Sequence, residues 1–273
     1  MPELPEVESI RRGLETLLLD QPVIRRFEFA RKDLRDPIPV RQLRSLEGQA
    51  IRAVLRRSKY LFLAAETGGV LSHLGMTGSW RTATDPKVLP GPHDHVRIEF
   101  ETGLTLIYRD PRRFGVLDWA KDLTSAHPRL DLLGPEPFDP AFSPEYLHQK
   151  ARTHRSPIKN LLMNAKIVVG VGNIYASEIL FRAGVRPGRS SERVTAVEAA
   201  RIKAFTTEVL AESIAAGGSS ISDYVDASGD QGGFQNHFRV YDRAGKPCLA
   251  CGTPIRRDVH AGRSSFFCPR CQR

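Results

Sequence analysis

Cysteine is missing from every position before Cys248; all four stand at Cys248, Cys251, Cys268 and Cys271. A chain without cysteine through its body has no disulfide framework, which points to a reducing compartment and a local metal site at the end. Long apolar runs are missing as well, so no transmembrane helix is expected. The first residues lack the basic stretch and apolar core of a secretory leader, and a cytoplasmic protein is expected. There is no internal repeat and no low-complexity tract, and 41% hydrophobic residues with 26% charged ones exclude a disordered or fibrous design. Acid is scarce relative to base: 31 Asp+Glu stand against 40 Lys+Arg, a net charge of +9. That balance suits a polyanion, nucleic acid first, although the same excess also serves solubility.

The 273 residues suffice for two domains. Val7, Ile10, Leu14 and Leu17 recur at helical spacing and predict an amphipathic helix over 5–18. Between Val23 and Trp119 the pattern turns to strands, with alternation over 96–100, a Glu101-Thr-Gly103 turn and a run over 104–108. Similar stretches lie at 50–55, 60–64, 70–73 and 115–119. The fold class expected is α+β: an N-terminal β-sandwich domain flanked by helices over 1–127, then a helical domain over 151–236 that leads into a finger over 237–273. The proline-dense stretch 128–150 reads as a linker. Past it, Ser156-Pro157 opens a helix over 158–165, and Asn173 is placed as the N-cap of a helix over 174–183 that stops at Gly184. Thr195-Ala-Val-Glu198 is a capping box for a third helix, with Ile202, Phe205 and Val209 on one face.

The cysteines read C-x2-C-x16-C-x2-C, the spacing of a four-cysteine zinc site. Four protein thiolates leave no position for water, so one structural zinc is expected, no organic cofactor, and no zinc hydrolase. Arg256, Arg257, His260 and Arg263 lie between the cysteine pairs and give the finger a basic tip suited to DNA phosphates, or simply a solvated basic surface. Gly170-Val-Gly-Asn173 lacks the third glycine of a dinucleotide fingerprint; it reads as a helix start able to hold a phosphate, or as a plain turn between helices.

The chain opens Met-Pro-Glu-Leu-Pro-Glu-Val-Glu. Loss of the methionine would leave Pro2 a free secondary amine, with the reference α-amino pKa of about 7.7–8.0 that lets an amine act as a nucleophile. Read by itself, the same stretch is a helix start with Pro5 in the first turn and Glu3, Glu6 and Glu8 at its positive end. Lys59 in Arg56-Arg-Ser-Lys-Tyr60 lies in or next to a strand, where a lysine is ordinarily just solvated, whereas Met76 in His73-Leu-Gly-Met-Thr-Gly78 and Arg112 and Phe114 in Asp110-Pro-Arg-Arg-Phe-Gly115 stand at turns. Side chains of these types at loop tips wedge into base stacks, or simply pack or meet solvent.

Together the opening octet, RRSKY, HLGMTG, DPRRFG, VVGVGNIYASE and the four-cysteine finger resemble the formamidopyrimidine-DNA glycosylase family, in the family's order and over the whole length. The resemblance implies a bifunctional enzyme that removes 8-oxoguanine and formamidopyrimidines from damaged double-stranded DNA, then cuts the abasic site by β,δ-elimination. It implies that Pro2 forms the Schiff base, Glu3 shuttles protons, and Lys59 contacts DNA and assists elimination. Asn173 and Arg263 would clamp phosphates, the latter also serving δ-elimination; His73, His93, Arg112 and Arg155 would be further DNA contacts. Met76, Arg112 and Phe114 would fill the stack when the base flips out. The helices around Asn173 would be the family's helix–two-turns–helix motif, and 217–233 its lesion-covering loop. The family often has Asp after Leu-Leu-Met where this chain has Asn164, which keeps hydrogen bonding and loses a charge. A monomer working on the bacterial nucleoid, without a membrane, is expected. Two alternatives remain at this level: an endonuclease VIII-like enzyme for oxidised pyrimidines, against which Leu4 and the Arg–Phe wedge speak, and a non-catalytic zinc-dependent DNA-binding protein of the same fold.

Overall fold

The computed structural model describes residues 2–84, 89–219 and 232–273. The chain forms two compact units, Met1–Asp131 with Gly217–Gly232, and Leu132–Ala216 with Gly233–Arg273.

In the first unit helix α1 spans Leu4–Leu17 and buries Val7, Ile10 and Leu14. Leu17, expected on the same face, is exposed; the chain leaves helical geometry at Leu18, and that side chain takes the inward position. Strand β1 is Ile24–Phe29, helix α2 Val40–Arg44, β2 Ala53–Arg57, β3 Tyr60–Ala64 and β4 Gly69–His73. Then come β5 Ser79–Ala83, β6 Asp94–Phe100, β7 Thr105–Arg109 and β8 Val116–Ala120. They make two four-stranded antiparallel sheets, β1-β6-β7-β5 and β2-β3-β4-β8.

Alternate residues of both sheets meet in one core that includes Ile24, Val54, Leu61, Val70, Ile98 and Leu106, closed at one side by α1. This is the expected sandwich, since each half-buried sheet needs a partner for its apolar face. The buried Trp80 Nε1 of β5 donates to Ser72 Oγ of β4 at 3.1 Å, so a polar bond crosses between the sheets inside that core. Trp80 also meets Tyr108 edge-to-face at 5.2 Å.

In the second unit helices α3 Pro144–Arg152, α4 Ile158–Leu162, α5 Asn173–Ala183 and α6 Ala196–Ala215 precede a hairpin of β9 Arg256–His260 and β10 Arg263–Phe267. The stretch 128–150 is therefore not all connection. Ser143 caps α3 by accepting the Tyr146 N–H at 3.1 Å, and Pro144 opens the helix, where its missing N–H costs nothing. α5 ends at Gly184 with φ +70, and α6 begins with the Thr195–Glu198 capping box, as expected. Phe205 is only half-buried; Thr206 points inward instead and returns its hydroxyl to Ile202 O at 2.7 Å. The four-cysteine segment docks through the buried Gln272, which donates to Val185 O at 2.9 Å and accepts the Cys268 N–H at 2.8 Å.

Trp80→Phe removes the indole N–H and part of a buried ring and leaves Ser72 Oγ without that donor, so it should cost about 1–3 kcal/mol in urea unfolding. Adding Ser72→Ala should recover part of that loss, and strictly additive losses would show that the bond couples nothing.

Candidate active site

The sandwich puts its N-terminus on a short leash. Pro2 is partly exposed, whereas Glu3, the N-cap of α1, is 2% exposed. Glu6 Oε2 accepts the Glu3 N–H at 2.8 Å, and Glu6 Oε1 accepts both the N–H and the hydroxyl of Ser219, at 2.7 and 2.9 Å. One buried carboxylate thus holds the first helical turn and the first stem of the 217–233 segment. Gly218, at φ +82, lies so close that a Cβ would sit 3.1 Å from the Glu6 side chain. Residues 220–231, the bulk of the expected lesion-covering loop, and Met1 lie outside the described residues.

Lys59 stands in the two-residue turn between β2 and β3, after the buried Ser58, whose φ of +57 is rare for a residue with a side chain. Arg56 fixes that turn to the first helix: its Nε donates to Glu8 Oε2 at 3.0 Å and its Nη1 to Ser58 O at 2.9 Å. Burial alone would raise the Glu8 carboxyl, but the hydrogen bonds and charges of Arg56 and Arg11 outweigh it and hold the pKa below the usual range.

His73 ends β4 with its ring against Tyr60 at 4.9 Å. Burial first, then the cations Lys59, Arg35 and Arg129, lower its pKa to about 4. Nδ1 accepts the Gly75 N–H at 3.0 Å, so the neutral ring carries its proton on Nε2, as a donor. Past it two turns present Met76, 43% exposed, and Phe114, 46% exposed, with the Arg112 guanidinium 4.8 Å above the Phe114 ring. His93 is partly exposed nearby in sequence to β6, and its carbonyl accepts the Asp110 N–H at 3.1 Å.

The second unit carries the remaining expected residues. Asn173 is not the N-cap: Gly172 takes that place, and Asn173 becomes the first residue of α5. Its Oδ1 is buried with no hydrogen-bond partner among the described residues. Arg155 is exposed and pairs with Glu192 at 3.4 Å; Arg263 is exposed at the hairpin tip, after Ala261 and Gly262 at φ +48 and +73. Asn164 Oδ1 accepts the Lys166 N–H at 3.1 Å, a bond an aspartate would make equally well.

Sequence reading passed over Glu178. Its buried carboxylate accepts backbone N–H groups of Arg239, Val240 and Tyr241 at 2.9, 3.0 and 2.8 Å, tying the entry to the finger onto α5. Burial pushes its pKa up, and the three donors pull it the other way. Only a glutamate within an apolar helix hints at such a role.

The four cysteine sulfurs lie within 4.8 Å of one another, with Cys248–Cys271 at 3.9 Å and Cys251–Cys268 at 3.5 Å. A tetrahedron with zinc–sulfur bonds of about 2.3 Å has edges of about 3.8 Å, so the cluster fits that ion. Thr253 hydrogen bonds draw Cys251 down to about 6, while burial and the neighbouring sulfurs push Cys271 up to about 12. Four thiols this close ionise together only around a cation.

Residues 1–117 match the formamidopyrimidine-DNA glycosylase N-terminal domain, 133–225 its H2TH domain, and 245–273 a zinc finger found in FPG and IleRS. A formamidopyrimidine-DNA glycosylase of Bdellovibrio bacteriovorus is 48% identical over 100% of both chains. The chain belongs to the formamidopyrimidine-DNA glycosylase family. Among solved structures, the MutM (Fpg) protein of Thermus thermophilus is 41% identical with a TM-score of 0.88, covering 99% of this chain and 98% of that one. The Lactococcus lactis Fpg, in complex with DNA containing an abasic site, is 31% identical with a TM-score of 0.88 over 99% of each chain. Family membership brings DNA glycosylase activity and one structural zinc on the clustered cysteines. Among the described residues no helix is long and apolar enough to cross a membrane, and the relatives named are bacterial.

Metal analysis should find one zinc per chain, and Cys268→Ala should lose it together with affinity for DNA of any sequence; unchanged affinity across salt concentrations would contradict a role for the finger in DNA binding. For His73 the folded pKa of about 4 lies below the ordinary 6.5, so the unfolded ring takes up its proton first as pH falls. Stability should therefore drop between about pH 6.5 and 4, by about 2–3 kcal/mol from this ring. His73→Asn should flatten that part of the pH dependence of urea unfolding; an unchanged slope would contradict the assignment.

Proposed function

We propose that the chain excises oxidised purines, 8-oxoguanine and formamidopyrimidines, from duplex DNA and then cuts the abasic site, with Pro2 as the nucleophile once Met1 is removed. The Pro2 nitrogen attacks C1′ as the glycosidic bond breaks, and the amine's N–H proton goes to the departing base. Glu3, buried beside it, delivers the proton that lets the C1′–O4′ bond open, which leaves an iminium between Pro2 and C1′. A secondary amine gives an iminium with a fixed positive charge, and that charge acidifies the C2′ proton. Loss of this proton expels the 3′-phosphate, and a second elimination expels the 5′-phosphate.

Lys59 assists the eliminations from its turn, and the Nε2–H of His73 donates to a DNA phosphate. Asn173 and Arg263 grip phosphates, with Arg263 also serving δ-elimination, while His93 and Arg155 add backbone contacts. Met76, Arg112 and Phe114 fill the space vacated by the flipped nucleotide. The zinc, closed off by four cysteines, holds the hairpin that carries Arg263. The enzyme works as a monomer in the bacterial cytoplasm, on the nucleoid.

The observation that carries the reading is the Glu8–Arg56–Ser58 bridge, which ties the helix opened by Glu3 to the turn that holds Lys59. Borohydride reduction in the presence of an 8-oxoguanine duplex should yield a covalent adduct. Pro2→Gly should leave the fold intact and cut trapping by at least about 100-fold. Trapping and nicking at the original rate by that variant would refute the assigned nucleophile.

A further inference from the structure

Asp110 opens the motif that carries Arg112 and Phe114, yet it is 0% exposed. Its carboxylate is spent inside the protein. Oδ1 accepts the Thr77 hydroxyl at 2.6 Å and Oδ2 accepts the Gly115 N–H at 2.8 Å. Thr77 Oγ1 in turn accepts the Arg112 N–H at 3.2 Å, so one hydroxyl of the 74–78 turn holds both the carboxylate and the backbone of the 110–115 turn. The main chain of Asp110 is used as well: its N–H donates to His93 O at 3.1 Å, and its carbonyl accepts the Arg113 N–H at 3.2 Å and lies 2.8 Å from His95 Nε2.

Steric contact closes what the hydrogen bonds begin. At Gly75, φ +60, a Cβ would lie 2.4 Å from the carbonyl carbon of Phe114. At Gly115 it would lie 1.8 Å from the Tyr108 hydroxyl, and at Gly78 2.5 Å from the same atom. The turns 74–78 and 110–115 therefore share a packed base, from which Met76, Arg112 and Phe114 project outward.

We propose that Asp110 and Thr77 are positioning residues that join these two turns into one rigid insert, so that the three side chains enter the base stack together. The proposal rests on the reading of Met76, Arg112 and Phe114 as the wedge. Two loops ordered separately at the moment of insertion would each lose backbone freedom; a pre-assembled base has lost it already, and that loss no longer weakens lesion binding. The clamp acts only when the insert meets a disrupted stack. Undamaged duplex, held chiefly through phosphates, is indifferent to it.

Thr77→Val keeps the shape, removes the donor to Asp110 and the acceptor for Arg112 N–H, and should be compared with Thr77→Ser, which keeps both. The full-length zinc-loaded protein is mixed with a duplex carrying a tetrahydrofuran abasic analogue beside 2-aminopurine, and fluorescence reports insertion. Thr77→Val should weaken binding to this duplex about tenfold and slow the fluorescence change, with affinity for undamaged duplex held within about twofold. Thr77→Ser should restore both. Thr77→Val behaving as the parent, or an equal loss on both duplexes, would overturn the proposal. Phe114→Ala separates the two layers: if it leaves insertion unchanged, the wedge reading fails and the proposal falls with it. If Phe114→Ala impairs insertion and Thr77→Val does not, the clamp alone is wrong.

Discussion

Arg56 is the side chain on which the site in the first unit depends. Its guanidinium is largely buried, and its partners include the Glu8 carboxylate on α1 and the Ser58 carbonyl in the turn before Lys59. A partly buried charge pair of this kind adds modest stability by itself, but removing one partner leaves the other charge stranded. The geometry it imposes matters more. It ties the helix to the β2–β3 hairpin and braces the lysine turn at a positive φ uncommon for serine. From the other side of the same helix Glu6 reaches Ser219, so the start of the 217–233 segment is anchored one turn from Glu3. The candidate nucleophile, proton shuttle, lysine and loop stem are thereby fixed relative to one another by two glutamates and one arginine.

The second unit solves a different problem, how to hold an exposed basic tip steady. The finger has a small core of Val240, Ile255 and Phe266 with the cysteines, too little apolar area to fold unaided. Metal ligation supplies the closure. Three polar anchors then set its orientation on the helices of that unit: Glu178 beneath residues 239–241, Gln272 beneath Val185, and Lys159. The buried Lys159 ammonium donates to Ser264 O and Ser265 Oγ at 2.7 and 3.0 Å, and Ser265 Oγ meets His260 Nδ1 at 2.8 Å. Arg263 stands between these points, at the start of β10, so the backbone that presents it is held on both strands.

Elements governed by local periodicity were legible from sequence. Helix α1, strand β3, the Thr195 capping box and the Gly184 stop lie close to where their patterns place them. Zinc ligation was legible because knuckle spacing is a local property. What stayed hidden depends on distant partners. Strand β5 has no clean alternation, and only its pairing with β7 and the Trp80–Ser72 bond account for it. Pro144 looked like part of a linker because a proline that starts a helix and one that breaks it are the same residue, told apart by the Ser143 cap. Glu6, Asp110 and Glu178 lie within recognisable motifs, but their anchoring roles could not be read there, since each satisfies backbone or hydroxyl donors that the fold brings to it. The candidate reactive residues stand in local motifs, whereas the residues that hold them in place act through contacts that only the fold brings together.

In the proposed function, covalent chemistry occurs at residue 2, with Lys59 and Glu3 acting around it. The most direct measurement is mass-spectrometric mapping of the protein after borohydride reduction with a duplex containing an abasic site. Proteolysis should place the reduced sugar adduct on the N-terminal peptide, with Met1 absent and fragment ions locating the added mass at Pro2. An adduct located on Lys59, or on any other lysine, would contradict the account.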